Sequence, residues 1–345
     1  MSALQFEVPA QLEAHEPPEA RGLARDDVRL LVAGKRDGRI SHARFADLPA
    51  FLAPGDLLVV NTSGTLAASL PARRSSDGWE LELRLSTPVP HRPPERWWIV
   101  ELRAGKQPFL AGCEGDVLLL PGGGSAKVVA PFAGGRRLWL AQLDLPDTLA
   151  DYLATNGHAI RYGYVPSEWP LSMYQTVFAT EPGSAEMPSA GRPFTAELVT
   201  RLVGDGVHVA PVTLHTGVSS PERGEAPYPE RYRVCAATAR LVNAVRGWGG
   251  RVIAVGTTVV RALETVASDD CTVSAGEGWT NLVVCGECDV RAVDGLITGW
   301  HEPEATHLQM LRAIADEEVV ERSYREALAH GYLWHEFGDS HLILP

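Results

Sequence analysis

The sequence predicts an α/β protein in which a mainly parallel-sheet α/β domain carries an inserted small β-barrel domain. Three observations predict it. Beyond residue 151, apolar strands alternate with helices of amphipathic spacing, the pattern of a sheet layered by helices. Between 57 and 150 the apolar runs are short, show no helical period and are followed by Pro or Gly, as in a barrel or sandwich. The first 56 residues are too short to bury a core of their own, so they are assigned to the same domain as 151–345.

In chain order, a Pro- and Glu-rich entry precedes apolar 30–32 and the segment 40–45, and Leu52-Ala-Pro-Gly-Asp56 turns into a buried strand at 57–60. Strands of the inserted unit are expected at 79–85, 97–102, 116–120, 126–129 and 137–140. Helices follow from the apolar spacing at 196–203 and 236–246, with Gly206 and Gly249-Gly250 at their ends. Strands at 207–214 and 251–255 alternate with them. Two further strands are expected at 281–284 and 290–293, then a terminal helix near 308–330 and a last strand at 341–344.

With 345 residues and 45% hydrophobic content the chain can fill two cores. Its 31 basic and 43 acidic residues give a net charge of −12, which argues against nucleic-acid binding by bulk charge but leaves room for a local basic patch. No apolar run reaches the roughly 18 residues of a membrane span, and Met-Ser-Ala-Leu-Gln-Phe-Glu is not a signal sequence, so a cytoplasmic protein is expected. Five cysteines without an export signal argue against a disulfide framework. Cys285-Gly-Glu-Cys288, with Cys271 and His301, has no second Cys-x-x-Cys. It is read as a tight turn between strands, and no metal is expected.

The segment 251–264 carries the most chemistry. An apolar strand runs into Gly256-Thr257-Thr258 and a helix, with Arg261 and Glu264 three apart on one face. Glycine permits close approach of a ligand, and the threonines offer hydroxyls at a helix start. Arg261 and Glu264 are either a surface ion pair or pocket residues. His215 follows an apolar strand, placing an imidazole where open α/β sheets bind ligands; it is a proton-transfer group or a buried structural histidine. Asp294-Gly295 reads as a turn at a strand end.

Together with 212–217, 294–301, Gly338-Asp339 and the Pro/Gly-rich string 174–195, this segment resembles one family over nearly the whole chain. That family is the S-adenosylmethionine:tRNA ribosyltransferase-isomerases of queuosine biosynthesis. The resemblance implies the same two-unit layout and an enzyme that uses S-adenosylmethionine as a ribosyl donor, not a methyl donor. In the family the ribosyl group goes to the aminomethyl of a 7-deazaguanine in tRNA and becomes an epoxycyclopentanediol, while adenine and methionine leave. The sulfonium acidifies the C5′ hydrogens, so a general base is required. His215, Glu264 and His301 are the candidates for the chemistry. Gly191, Thr213, Gly256, Thr257, Thr258, Arg261, Asp294, Thr306 and Asp339 are the candidates for substrate binding, with Arg261 suited to grip the donor's carboxylate.

Four stretches depart from the family pattern. Arg192-Pro193 stands where the family has Leu-His, Asn61-Thr62-Ser63-Gly64 where it has Asn-Asp-Thr-Arg, and Gly217-Val-Ser-Ser-Pro221 replaces Gly-x-Gly-Thr-Phe-x-Pro. Gly299-Trp-His-Glu-Pro303 keeps the histidine and proline of Asn-Phe-His-Leu-Pro but not the asparagine. These losses predict a divergent member, slow on the standard tRNA, whose acceptor is tRNA or a free small molecule; a noncatalytic nucleoside-binding descendant is the other reading.

Overall fold

The computed structural model describes residues 6–218, 228–285, 290–303 and 306–345, apart from the side chain of Thr306. At its centre four strands run parallel: His208–Leu214, Leu57–Asn61, Val252–Val255 and Gly295–Gly299. Every residue of Leu57–Asn61 and of Val252–Val255 is buried, as expected where helices cover both faces of a parallel sheet. Beyond Gly295–Gly299 lie Ser340–Leu344, Arg29–Gly34 and the edge strand Ile40–Arg44. Ser340–Leu344 runs antiparallel to Gly295–Gly299 and parallel to Arg29–Gly34. On the other side Glu230–Val234 and Gly276–Thr280 add an antiparallel edge, giving nine strands in all. The N-terminal residues thus complete the C-terminal sheet.

Leu198 and Leu202 of helix Ala196–Gly204 pack with Leu58, Val60, Ile253 and Ile297 on one face. The other face is covered by helices Ala236–Gly247, Thr257–Thr265, Thr306–Ile314 and Glu317–Ala329, through residues such as Val242, Leu263, Leu311 and Val320. Among the described residues no helix is long and apolar enough to cross a membrane.

The second unit is a six-stranded antiparallel barrel: Leu138–Asp144, Ser125–Pro131, Val117–Leu119, Ser69–Arg74, Glu80–Pro88 and Trp97–Ala104, closed by pairing of the last with the first. Leu70, Leu83, Ile99, Leu102, Leu118 and Val128 fill it. Helix Leu149–Asn156 packs Tyr152 and Leu153 against the same core.

Local differences from the sequence reading have physical reasons. The run at 57–60 opens no barrel; its two-sided burial suits the middle of the large sheet, and the barrel strands begin at Ser69. No strand forms at 281–285 or 290–293. The strands are Gly276–Thr280 and Gly295–Gly299, whose first glycine passes so close to Ile343 that a Cβ would lie 2.8 Å from its carbonyl oxygen. The heart of the Cys-Gly-Glu-Cys turn lies outside the described residues. The terminal helix is two helices, because Asp316 adopts ψ 145° and starts the second.

Candidate functional site

The four parallel strands end on one edge, and their antiparallel neighbours turn over at the same edge. Asn61 stitches three segments together there: the end of its own strand, the end of His208–Leu214 and the start of the helix after Val252–Val255. Its side-chain amide donates to Leu214 O at 2.8 Å and to Thr258 Oγ1 at 3.2 Å, and its carbonyl accepts from the N–H groups of Ser63 and Leu214. Gly256 connects strand to helix at φ +96°, a conformation that side chains resist, and donates its N–H to Ile297 O at 2.8 Å. Thr257, half-buried, opens the helix beside it.

His215 leaves the end of His208–Leu214 with its Nδ1 2.7 Å from Ser63 Oγ, which in turn lies 2.6 Å from Ser184 Oγ. Gly183 runs directly under the ring: a Cβ there would sit 2.4 Å from Nδ1. The ring is therefore clamped in one orientation with Nε2 left for another partner. Burial and the neighbouring Arg231 lower its pKa to about 4, so the imidazole is neutral at physiological pH. Thr213, just before it, is buried between Thr62 Oγ1 at 3.0 Å and Glu181 at 3.3 Å.

Arg261 does not pair with Glu264. Its guanidinium is held by Glu230, by Leu282 O at 3.1 Å and by Thr280 O at 3.4 Å, while Glu230 also accepts the Gly217 N–H at 3.0 Å. Glu264 accepts the N–H groups of Arg291 at 3.0 Å and Ala292 at 2.8 Å, and burial raises its pKa. His301, at the end of Gly295–Gly299, lies 2.9 Å from Thr298 Oγ1 and stacks on His307 at 4.3 Å. Burial, followed by the neighbouring His307, pushes its pKa well below the usual range.

The other expected residues divide. Gly191 is buried in a short turn against Thr176 at this same edge. Asp339 is also here, but its carboxylate is filled by Arg29 and by the Leu333 N–H at 2.8 Å. Thr306 starts its helix; its side chain lies outside the described residues. Asp294 is at the opposite edge, because it precedes its strand instead of following one: it accepts the Val252 N–H at 2.8 Å and lies 3.6 Å from Arg246. Among the described residues, Cys271, Cys285 and His301 do not form a cluster able to hold a metal ion.

Several participants escaped the sequence reading. Ser63, Ser184 and Glu230 were not singled out, although Ser63 lies in the stretch 61–64 and Ser184 in the string 174–195; Glu230 lies in neither. Arg192 is almost fully buried, pairs with Glu19 at 2.8 Å, donates to Met173 O and stacks on Phe337 at 5.0 Å. Pro193 lines a narrow pocket with Gly299, Glu336 and Gly338. Next to it a cleft of about 370 Å³ is lined by Arg21, Arg29 and Arg44 with Asp27 and Asp339. Within it Arg29 pairs with Asp339 at 2.8 Å and Arg44 with Asp27 at 3.4 Å.

The class so defined is an α/β sheet protein with an inserted barrel and a polar edge built from strand C-termini. A family model described as "Queuosine biosynthesis protein" matches residues 1–343. The S-adenosylmethionine:tRNA ribosyltransferase-isomerase of Symbiobacterium thermophilum is 37% identical over 354 residues, covering 100% of this chain and 99% of that one. The enzyme of the same name from Thermus thermophilus is 37% identical over 357 residues, with 100% and 99% covered. The crystal structure of S-adenosylmethionine tRNA ribosyltransferase from Thermotoga maritima is 30% identical, with a TM-score of 0.55 over 99% of this chain and 100% of that one. The chain belongs to the queuosine biosynthesis protein family.

Proposed function

We propose that the protein transfers and isomerises the ribosyl group of S-adenosylmethionine, with the aminomethyl-deazaguanine of tRNA as acceptor. The observation that carries this reading is the neutral, ring-clamped His215 at the C-terminal edge of the sheet. In this reading His215 Nε2 removes a C5′ proton made acidic by the sulfonium, and the Ser63 hydroxyl steadies the ring as charge develops. Glu264, whose oxygens already receive two backbone N–H groups, fits a positioning role better than that of the base. Gly256 and the threonines after it suit the donor's ribose or carboxylate, and Arg261 positions Glu230 and the Gly217 loop around it. Arg21, Arg29 and Arg44 in the neighbouring cleft offer donors for phosphate oxygens, offset in part by Asp27 and Asp339.

Gly64 and Pro193, in place of an arginine and a histidine of the family pattern, favour a second reading: the same donor chemistry on a free small molecule. One experiment separates them. The protein is incubated with S-adenosylmethionine alone, with unmodified tRNA and with the free deazaguanine base, and adenine and methionine release is followed by mass spectrometry. Release dependent on tRNA supports the first reading and release with the free base supports the second. No release in any arm overturns the enzyme assignment.

A further inference from the structure

At the far end of the sheet from His215, His42 on the edge strand Ile40–Arg44 meets Glu326 and His330 at the end of helix Glu317–Ala329. One ring nitrogen of each histidine and one carboxylate oxygen lie within 4.8 Å of one another. His42 Nε2 is 3.9 Å from Glu326 Oε2, His330 Nδ1 is 3.2 Å from the same oxygen, and the two rings stand 4.3 Å apart.

We propose that His42, Glu326 and His330 form a surface site for a divalent transition ion, zinc before the others, with water completing the shell. Two imidazoles and one carboxylate are a borderline donor set that suits zinc, whereas calcium and magnesium prefer all-oxygen shells. An ion about 2.0–2.2 Å from each atom spans ligand pairs of about 3–4 Å, so small rotamer changes close the site.

Three surrounding features fit. The other ring nitrogen of His42 is 2.9 Å from the Tyr332 hydroxyl, the second contact that orients a ligating histidine and exposes Nε2. His330 caps the C-terminus of its helix, where the backbone dipole favours a cation. Arg29, the cation beside the cluster, donates to His330 O at 2.8 Å and lies over the Tyr332 ring, with its charge offset by Asp339. At present His330 Nδ1 also lies 2.9 Å from Glu326 O, so the ion displaces a proton shared with that carbonyl. The ion ties the edge strand to the helix and is independent of the ribosyl chemistry.

The test is calorimetric titration of the full chain with zinc chloride, beside His42→Ala, Glu326→Gln and His330→Ala. These substitutions lie on exposed or half-exposed side chains and leave the core intact. One saturable ion is expected, weakened by about tenfold or more in each variant. Zinc is also expected to raise the melting temperature of the parent protein alone. Cobalt substitution is expected to show no thiolate charge-transfer band. Absence of saturable uptake, uptake unchanged in all three variants, or a thiolate band tracing the ion to the exposed Cys113, Cys235 or Cys271 would each overturn the site.

Discussion

His215 and Ser63 are 152 residues apart in sequence, yet the imidazole Nδ1 and the hydroxyl meet at 2.7 Å. Two parallel strands bring them there, for Asn61 and Val212 are register partners in neighbouring strands whose ends carry the two side chains. Ser63→Ala removes one hydrogen bond and little volume. Its expected effect is a fall in kcat of up to about tenfold, the equivalent of about 1.4 kcal/mol, with the donor KM nearly unchanged. A loss confined to KM, or a melting shift with normal kcat, would argue that the contact only holds the fold.

With His215 as the proposed base, its pKa sets the acid limb of activity. If its neutral form is the base, activity persists below the ordinary histidine range and falls only as pH approaches about 4. A kcat/KM profile with a limb near 6.5 would point to another group.

Folding stability should follow a different course with pH. His215, His307 and His335 have pKa values lowered to about 4 and His341 to about 3, all by burial. Each is neutral in the folded chain, whereas the unfolded chain takes up the proton near 6.5. The unfolded state therefore binds more protons between about 6.5 and 4, and stability declines as pH falls through that window. His341 is the cleanest probe, since it is fully buried, stacks on Trp300 at 4.7 Å, and neither ring nitrogen has a hydrogen-bond partner among the described residues. His341→Phe is expected to flatten the decline in melting temperature between pH 6.5 and 5; an unchanged slope would exclude it as a contributor.

Arg261→Ala should cost stability. It strips Glu230 of its cation and takes a donor from two carbonyls at a half-buried site, a loss of about 1–3 kcal/mol. Denaturant unfolding beside a donor dissociation constant reads both effects. Weaker donor binding at unchanged stability would return Arg261 to direct carboxylate binding.

Complementation of a bacterial strain lacking the ribosyltransferase-isomerase, scored by epoxyqueuosine in its tRNA, is expected to give less than the level of a standard family member. At buried Gly64 an added Cβ makes only ordinary contact, its nearest atom 3.5 Å away, so Gly64→Arg can be tried. Alone it is not expected to restore full modification, because Pro193 still stands where the family has a histidine. Full modification by the unaltered protein would show that neither departure matters.

Much of the fold was legible in local sequence. Apolar runs bounded by Gly and Pro marked the barrel, and alternating strand and helix periods marked the sheet, because burial imposes periods of 2 and 3.6 on whichever residues face a core. The same logic placed Gly256 and His215 at strand C-terminal ends, the edge where open α/β sheets bind ligands. Tertiary structure decided what no period encodes. The run at 57–60 is equally apolar in a barrel or a central strand, and only its neighbours on both sides settled it. Arg261 and Glu264 were three apart on one helix, yet each found a stronger partner from a distant segment: Glu230 for the one, the 291–292 backbone for the other. Asp294 looked like the end of a strand and proved to be the start of one, which put it on the wrong edge. Charged groups pair with whatever the folded chain brings within hydrogen-bonding distance, and that distance is a property of strand order, which sequence spacing does not contain.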